Sequence, residues 1–140
     1  MRLICHLLIN DFAVSKDIVE RAINASVLFG DSVLAHLIES GVDEGVVLEA
    51  LGKRFGMQTF DLREYVPNEE LLGLLPKAML SKHRVLPVDK KGQTLRLVVS
   101  NARDRIALSE ATQVSGCMIR PVIALESRVT ECIRKYIDPQ

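Results

Sequence analysis

Apolar residues in the first sixty positions recur at the three- and four-residue spacing of a helix. Ile18, Val19, Ala22 and Ile23 follow Ser15, a residue suited to capping a helix, and Val46, Val47, Ala50 and Leu51 repeat the spacing after Asp43. A shorter run precedes each: "CHLLINDFAV" from Cys5 to Val14 and "AHLIESGV" from Ala35 to Val42. Both read small residue, His, Leu, Leu or Ile, and then reach Asn or Ser. Gly30-Asp31 and Gly41-Val42-Asp43 supply the breaks. The pattern predicts two tandem helical hairpins, each a short helix followed by a longer one. A hairpin of this size cannot bury its apolar face alone, which is why such units come in stacked pairs.

The periodicity changes after "RFGMQTFDL", a short apolar connector that predicts limited hinge freedom. Pro67 begins a predicted helix running to Leu75. Pro76 sits in the first turn of another, "PKAMLSKH", where its missing N–H costs least. "RVLPV" reads as a strand with Pro87 marking an edge position, "DKKGQ" as a turn with Gly92, and "TLRLVVS" as an alternating strand. A helix from about Asp104 to Val114 stops at Gly116. "CMIRPVI" reads as a third strand and "SRVTECIRKYI" as a final amphipathic helix. The expected fold class is therefore α+β. An N-terminal helical-hairpin lobe of two pseudo-repeats, residues 1–62, is followed by an α-β-β-α-β-α lobe, residues 63–140, with a three-stranded sheet and packed helices.

Composition narrows the class. Hydrophobic residues are 48% of the chain and aromatics 4%, so the interior must be built from Leu, Val, Ile and Ala, in sufficient quantity for a cooperative fold. Eighteen basic residues balance eighteen acidic ones, which gives no chain-wide attraction to nucleic acid or to an anionic membrane. Cys5, Cys117 and Cys132 are odd in number and lack C-x-x-C spacing, as in a reducing cytoplasm rather than a disulfide framework or zinc site. The apolar run from Leu3 to Ile9 is interrupted by His6, too short to span a bilayer, and followed by no small-residue cleavage site. A cytoplasmic chain without direct membrane insertion is expected.

Candidate chemistry is sparse. No P-loop, G-x-G-x-x-G, nucleophile elbow, H-E-x-x-H or calcium loop is present, and nothing pairs a nucleophile with a base. His6 and His36 occupy matching places in the two repeats, which raises metal or acid/base chemistry. No carboxylate or Cys lies at ligand spacing, so each is read as packing at a hairpin edge with one ring nitrogen toward water. His83 is read as a solvated helix end, Lys90-Lys91 as turn residues, and Cys117 and Cys132 as core. The adjacent Glu69-Glu70 point in different directions on a helix and suit its first turn better than a catalytic pair. "SNARD", Ser100 to Asp104, follows a strand and opens a helix, where free N–H groups can receive an anion. Capping by Asn101 or Asp104 is the preferred reading there.

The stretches "LEALGKRFGMQTFDL", "LLGLLPKAMLSKHRVLPV", "GQTLRLVVSNARD" and "ALESRVTECIRKYI" follow paired helical hairpins in that order. Together they resemble the N-terminal domain of type II secretion and type IV pilus assembly ATPases, over nearly all the chain and most strongly from Gly30 to Ile137. The resemblance implies a non-catalytic domain that precedes its ATPase. It implies docking to the cytoplasmic part of an inner-membrane platform protein, or to the ATPase itself. In a subset it also implies binding of cyclic di-GMP, a two-fold-symmetric ligand suited to two similar half-sites.

In the nucleotide-binding members each repeat begins Arg-Leu-Gly and ends its second helix with Gln. Arg can stack on guanine and pair with phosphate, and Gly lets the backbone approach. The first repeat here reads Arg2-Leu3-Ile4 and the second Ser32-Val33-Leu34, while the Gln positions align with Ser26 and Arg54. Asn101 aligns with an Asp of the second lobe. These nine residues are the candidate contacts. Two of them, Ile4 and Leu34, replace glycine with branched side chains, and Arg54 offers a cation near the second half-site. The expectation is a scaffold for protein docking, peripheral to the inner membrane through its partner, with a cyclic di-GMP receptor of altered contacts as the alternative. No other cofactor, metal or nucleic-acid partner is expected.

Overall fold

The computed structural model describes residues 2–30, 32–99 and 104–137. The chain divides into two compact units, Met1–Gly56 and Met57–Gln140.

The first unit holds α1 (Arg2–Asn10), α2 (Lys16–Phe29), α3 (Val33–Glu39) and α4 (Glu44–Phe55), the short-long, short-long order that the apolar spacing predicts. Pairing does not follow the repeats, however. α2 packs chiefly on α3, and α1 on α4, so each helix finds its main partner in the other repeat. Leu8, Val19, Leu37, Val47 and Ala50 are fully buried between them. Lys53 of α4 reaches Asp11 in the α1–α2 loop at 2.9 Å and lies over the Phe12 ring, adding a polar tie across repeats.

Gly30 and Gly56 close the long helices in the left-handed conformation. The starts of those helices differ. Asp43 caps α4 by accepting from the Gly45 and Val46 N–H groups at 2.7 and 3.3 Å, whereas the Ser15 side chain makes no capping bond to α2. Asp43→Ala is therefore expected to cost about 1 kcal/mol in urea denaturation, and Ser15→Ala only a few tenths. Equal losses at the two positions would contradict this assignment.

The second unit begins earlier than the connector pattern suggested, at Met57 rather than after Leu62. The reason is hydrogen bonding. The Phe60 N–H donates to the Ile123 carbonyl and the Ile123 N–H to the Gln58 carbonyl, both at 2.9 Å, and Leu62 lies in the core. A 3-10 turn (Leu62–Glu64) leads to α5 (Glu69–Leu72), α6 (Lys77–His83), β1 (Leu86–Lys91), β2 (Thr94–Val99), α7 (Arg105–Ser115), β3 (Met118–Ile123) and α8 (Glu126–Cys132). α8 ends in a π-helical turn, Ile133–Ile137. The sheet order is β1-β2-β3, with β1 antiparallel to β2 and β3 parallel to it after the α7 crossover.

Three elements differ from the sequence expectation. The helix expected from Pro67 to Leu75 is only four residues long: Asn68 caps Glu70 and Leu71, and the chain turns at Gly73 toward Pro76, before which helical backbone is disfavoured. Lys90 and Lys91 are strand residues opposite Leu95 and Thr94, leaving Gly92-Gln93 as the turn. Charged residues there suit an edge strand. The C-terminal helix widens into the π turn, which keeps Ile133 and Ile137 buried.

Both sheet prolines follow from hydrogen-bond parity. Ala124 donates to Val99, across β2, whereas Ile123 donates outward to Gln58. Pro121 shares the parity of Ile123, so its missing N–H faces away from β2. Pro87 lies on the β1 edge beside a bulge.

Candidate functional site

The first-repeat candidates sit at the start of α1. Arg2 opens the helix. Leu3 is 55% exposed and Ile4 only 2%, so the side chain that replaces glycine is committed to the core. In the second repeat the burial shifts by one place. Val33, the counterpart of Leu3, is buried, while Leu34, the counterpart of Ile4, is half-buried. The same offset separates the fully buried Leu8 from Leu37, which corresponds to Leu7. One residue is a rotation of about 100° on a helix, so α1 and α3 present different faces and the two repeats are not equivalent.

Ser32 caps α3 by accepting from the Leu34 N–H at 3.2 Å. Ser26 is half-buried on α2, and its carbonyl accepts the closing bond from Gly30. Arg54 lies in the last turn of α4 with its guanidinium 5.0 Å from the centre of the Phe55 ring. Asn101 lies outside the described residues; Asp104 caps α7 through the Ala107 N–H. The matched histidines also diverge. His6 is exposed, whereas His36 stacks on Phe29 at 6.1 Å and lies 3.7 Å from Glu39.

A cleft of about 380 Å³ opens between α1, α2 and the start of α3. Cys5, Ile9, Val19, Ile23 and Val33 line it, and His6, Lys16 and Glu20 also border it. Burial pushes the Cys5 thiol pKa up, so it remains a neutral apolar wall. Apart from His6, singled out by its place in the repeat, and Val33, among the candidate contacts, these residues carry no sequence signal beyond helical periodicity. Beyond Ile23, α2 ends in a bare apolar tip: Val27, Leu28 and Phe29 are 80, 77 and 70% exposed.

In the second unit, polar pairs are structural. Asp89 and Arg96 face each other across β1 and β2 with Nε 2.8 Å from both carboxylate oxygens; that hydrogen bond holds the Asp89 pKa low. Arg63 does the same to Asp61. His83, expected at a solvated helix end, has a side chain only 9% exposed, with Nε2 2.9 Å from Glu110 Oε2. The partner is contributed by α7, which local sequence around His83 could not announce. Glu69 and Glu70 do occupy the first turn of α5, and Cys117 and Cys132 are buried thiols. Among the described residues, no group of three His, Cys, Asp or Glu side chains is placed to hold a metal, and no helix is long and apolar enough to cross a membrane.

Comparison with known proteins gives one consistent answer. Residues 55–140 match the family model described as the MshEN domain. The chain is 24% identical over 131 residues, 93% of its length, to the type IV pilus assembly ATPase PilB of Myxococcus xanthus (strain DK1622), and spans 23% of that relative. It superposes on the structure of MshE with cdg at a TM-score of 0.68, with 25% identity, covering 95% of this chain and 97% of the other. The N-terminal domain of XpsE gives a TM-score of 0.58 at 22% identity, covering 96% of this chain and 94% of that one; at that identity the likeness speaks to fold.

Proposed function

Because this chain belongs to the MshEN domain family, we propose that it is a non-catalytic docking and regulatory domain of a secretion or type IV pilus assembly ATPase. Its partner is the cytoplasmic domain of an inner-membrane platform protein, or the ATPase itself. It works in the cytoplasm, reaching the membrane only through that partner. The observation that supports docking is the apolar tip of α2, where three consecutive large side chains, Val27 to Phe29, face solvent. Consecutive exposed apolar residues of this kind mark interaction surfaces on soluble folds. Biolayer interferometry against immobilised platform and ATPase domains is the test. The doubly substituted Leu28→Ser, Phe29→Ser chain is expected to bind at least about tenfold more weakly. Absence of wild-type binding to both at micromolar protein would remove the docking reading.

A second reading is favoured by the superposition on MshE with cdg: cyclic di-GMP binds the repeats through Arg2, Leu3, Ile4, Ser26, Ser32, Val33, Leu34 and Arg54, with Asn101. Rotation of α3 by one residue relative to α1 weakens it, because a two-fold ligand would meet unlike half-sites. Calorimetric titration with cyclic di-GMP, with GTP as control, decides the matter. Dinucleotide-specific heat that disappears in Arg2→Ala supports the receptor; no heat on folded protein at two temperatures removes it.

A further inference from the structure

The cleft of the first unit has a composition that neither docking nor the dinucleotide explains. Its volume of about 380 Å³ lies within the range of small-molecule sites, about 300–1,000 Å³. Its wall, from Cys5, Ile9, Val19, Ile23 and Val33, is apolar, and the ionisable groups that border it are few. Two of these, Lys16 and Glu20, are 4.0 Å apart with side chains 74% and 58% exposed. An ion pair this long and this exposed is loose, so Lys16 is free to turn toward another acid.

A cyclic dinucleotide would bring two phosphates and two purines. The described lining is apolar apart from His6, Lys16 and Glu20, so what it offers is chiefly nonpolar contact. One apolar body with one acidic group fits better. The apolar surface also continues out of the cleft along α2, because Ile23 is one turn from the exposed Val27.

We propose that this cleft binds a small anionic amphiphile, with its apolar body against Ile9, Val19, Ile23 and Val33 and its acidic head at Lys16. The proposal does not rest on the docking or dinucleotide readings.

The test is a titration of the full chain with decanoate below its micelle concentration, followed by two-dimensional amide NMR, with decanol as the uncharged probe. Saturating single-site shifts at Cys5, Ile9, Val19, Ile23 and Val33 are expected, and decanol should bind more weakly. Lys16→Glu should weaken decanoate binding by about tenfold and leave decanol unaffected. Ile23→Trp, at the exposed rim, should obstruct both probes without disturbing the fold; Ile9→Trp serves as a second obstruction. The Leu28→Ser, Phe29→Ser chain should bind normally. Shifts confined to residues 27–29, a response that never saturates, or unchanged affinity in folded Ile23→Trp and Ile9→Trp would overturn the assignment. Cyclic di-GMP titrated alone reports on the receptor reading and leaves this one independent.

Discussion

Leu97→Ala is expected to remove about 3–4 kcal/mol of stability, toward the upper half of the range for buried leucines. Leu97 is fully buried in the central strand, and its register partners on the two sides are Pro87 and Pro121. Residues directly opposite share a face of the sheet, so the leucine lies between two pyrrolidine rings. Both rings have fixed φ and no freedom to lean into a void, so the cavity left by alanine stays open. A chain of this size has a total stability of about 7–20 kcal/mol on a per-residue basis, so this one methyl-rich side chain matters. Leu97→Met, which keeps the volume, should cost less than about 1.5 kcal/mol. Urea denaturation checks both, and a loss below about 1 kcal/mol for the alanine variant would show that the strands close around the gap.

Alkaline pH should destabilise the second unit through Tyr65. Its hydroxyl is buried without a hydrogen-bond partner, and burial pushes its pKa up to about 12. The unfolded chain releases that proton near pH 10, so between pH 10 and 12 the folded state holds a proton that the unfolded state has lost. Stability from this group is fully present below pH 10 and falls as pH rises through the folded value, by at most about 1.4 kcal/mol per pH unit. Buried Cys132 of the same unit has a pKa raised in the same direction by burial and adds to the alkaline loss, while Cys5 acts likewise on the first unit. Tyr65→Phe keeps the edge-on contact with Tyr136, whose ring centre is 5.7 Å away. It should be neutral to about 1 kcal/mol stabilising at pH 7, since an unpartnered buried hydroxyl is removed. Its stability should also decline less steeply above pH 10. Identical alkaline profiles for the two proteins would rule out Tyr65 as the titrating group.

Local signals in the sequence were sufficient for most elements. Gly30, Gly56 and Gly116 end helices as left-handed caps, Asp43 starts one, and the alternation in "TLRLVVS" marks the central strand. What escaped was decided by distant partners. The connector near Thr59 joins the second unit because Ile123 offers it a parallel bridge, and the His83 side chain is largely shielded from solvent, paired with Glu110 from α7. The repeat itself was legible, but not the one-residue rotation that turns Ile4 inward and leaves Leu34 half-buried. Helical spacing tolerates either facing until the opposing helix is known. For the same reason the cleft was invisible, because its lining residues look like ordinary core positions.

The crossed pairing of the first unit, α1 with α4 and α2 with α3, bears on how such a lobe could arise. A single short-long hairpin leaves both of its helices without their main partner, yet two identical hairpins on separate chains could satisfy one another in the same crossed fashion. The fused lobe is thus the single-chain equivalent of a two-fold dimer, and sharing one chain converts association into folding. Once the halves share a chain, symmetry is no longer required of them. Each can drift alone, as the rotated α3 has.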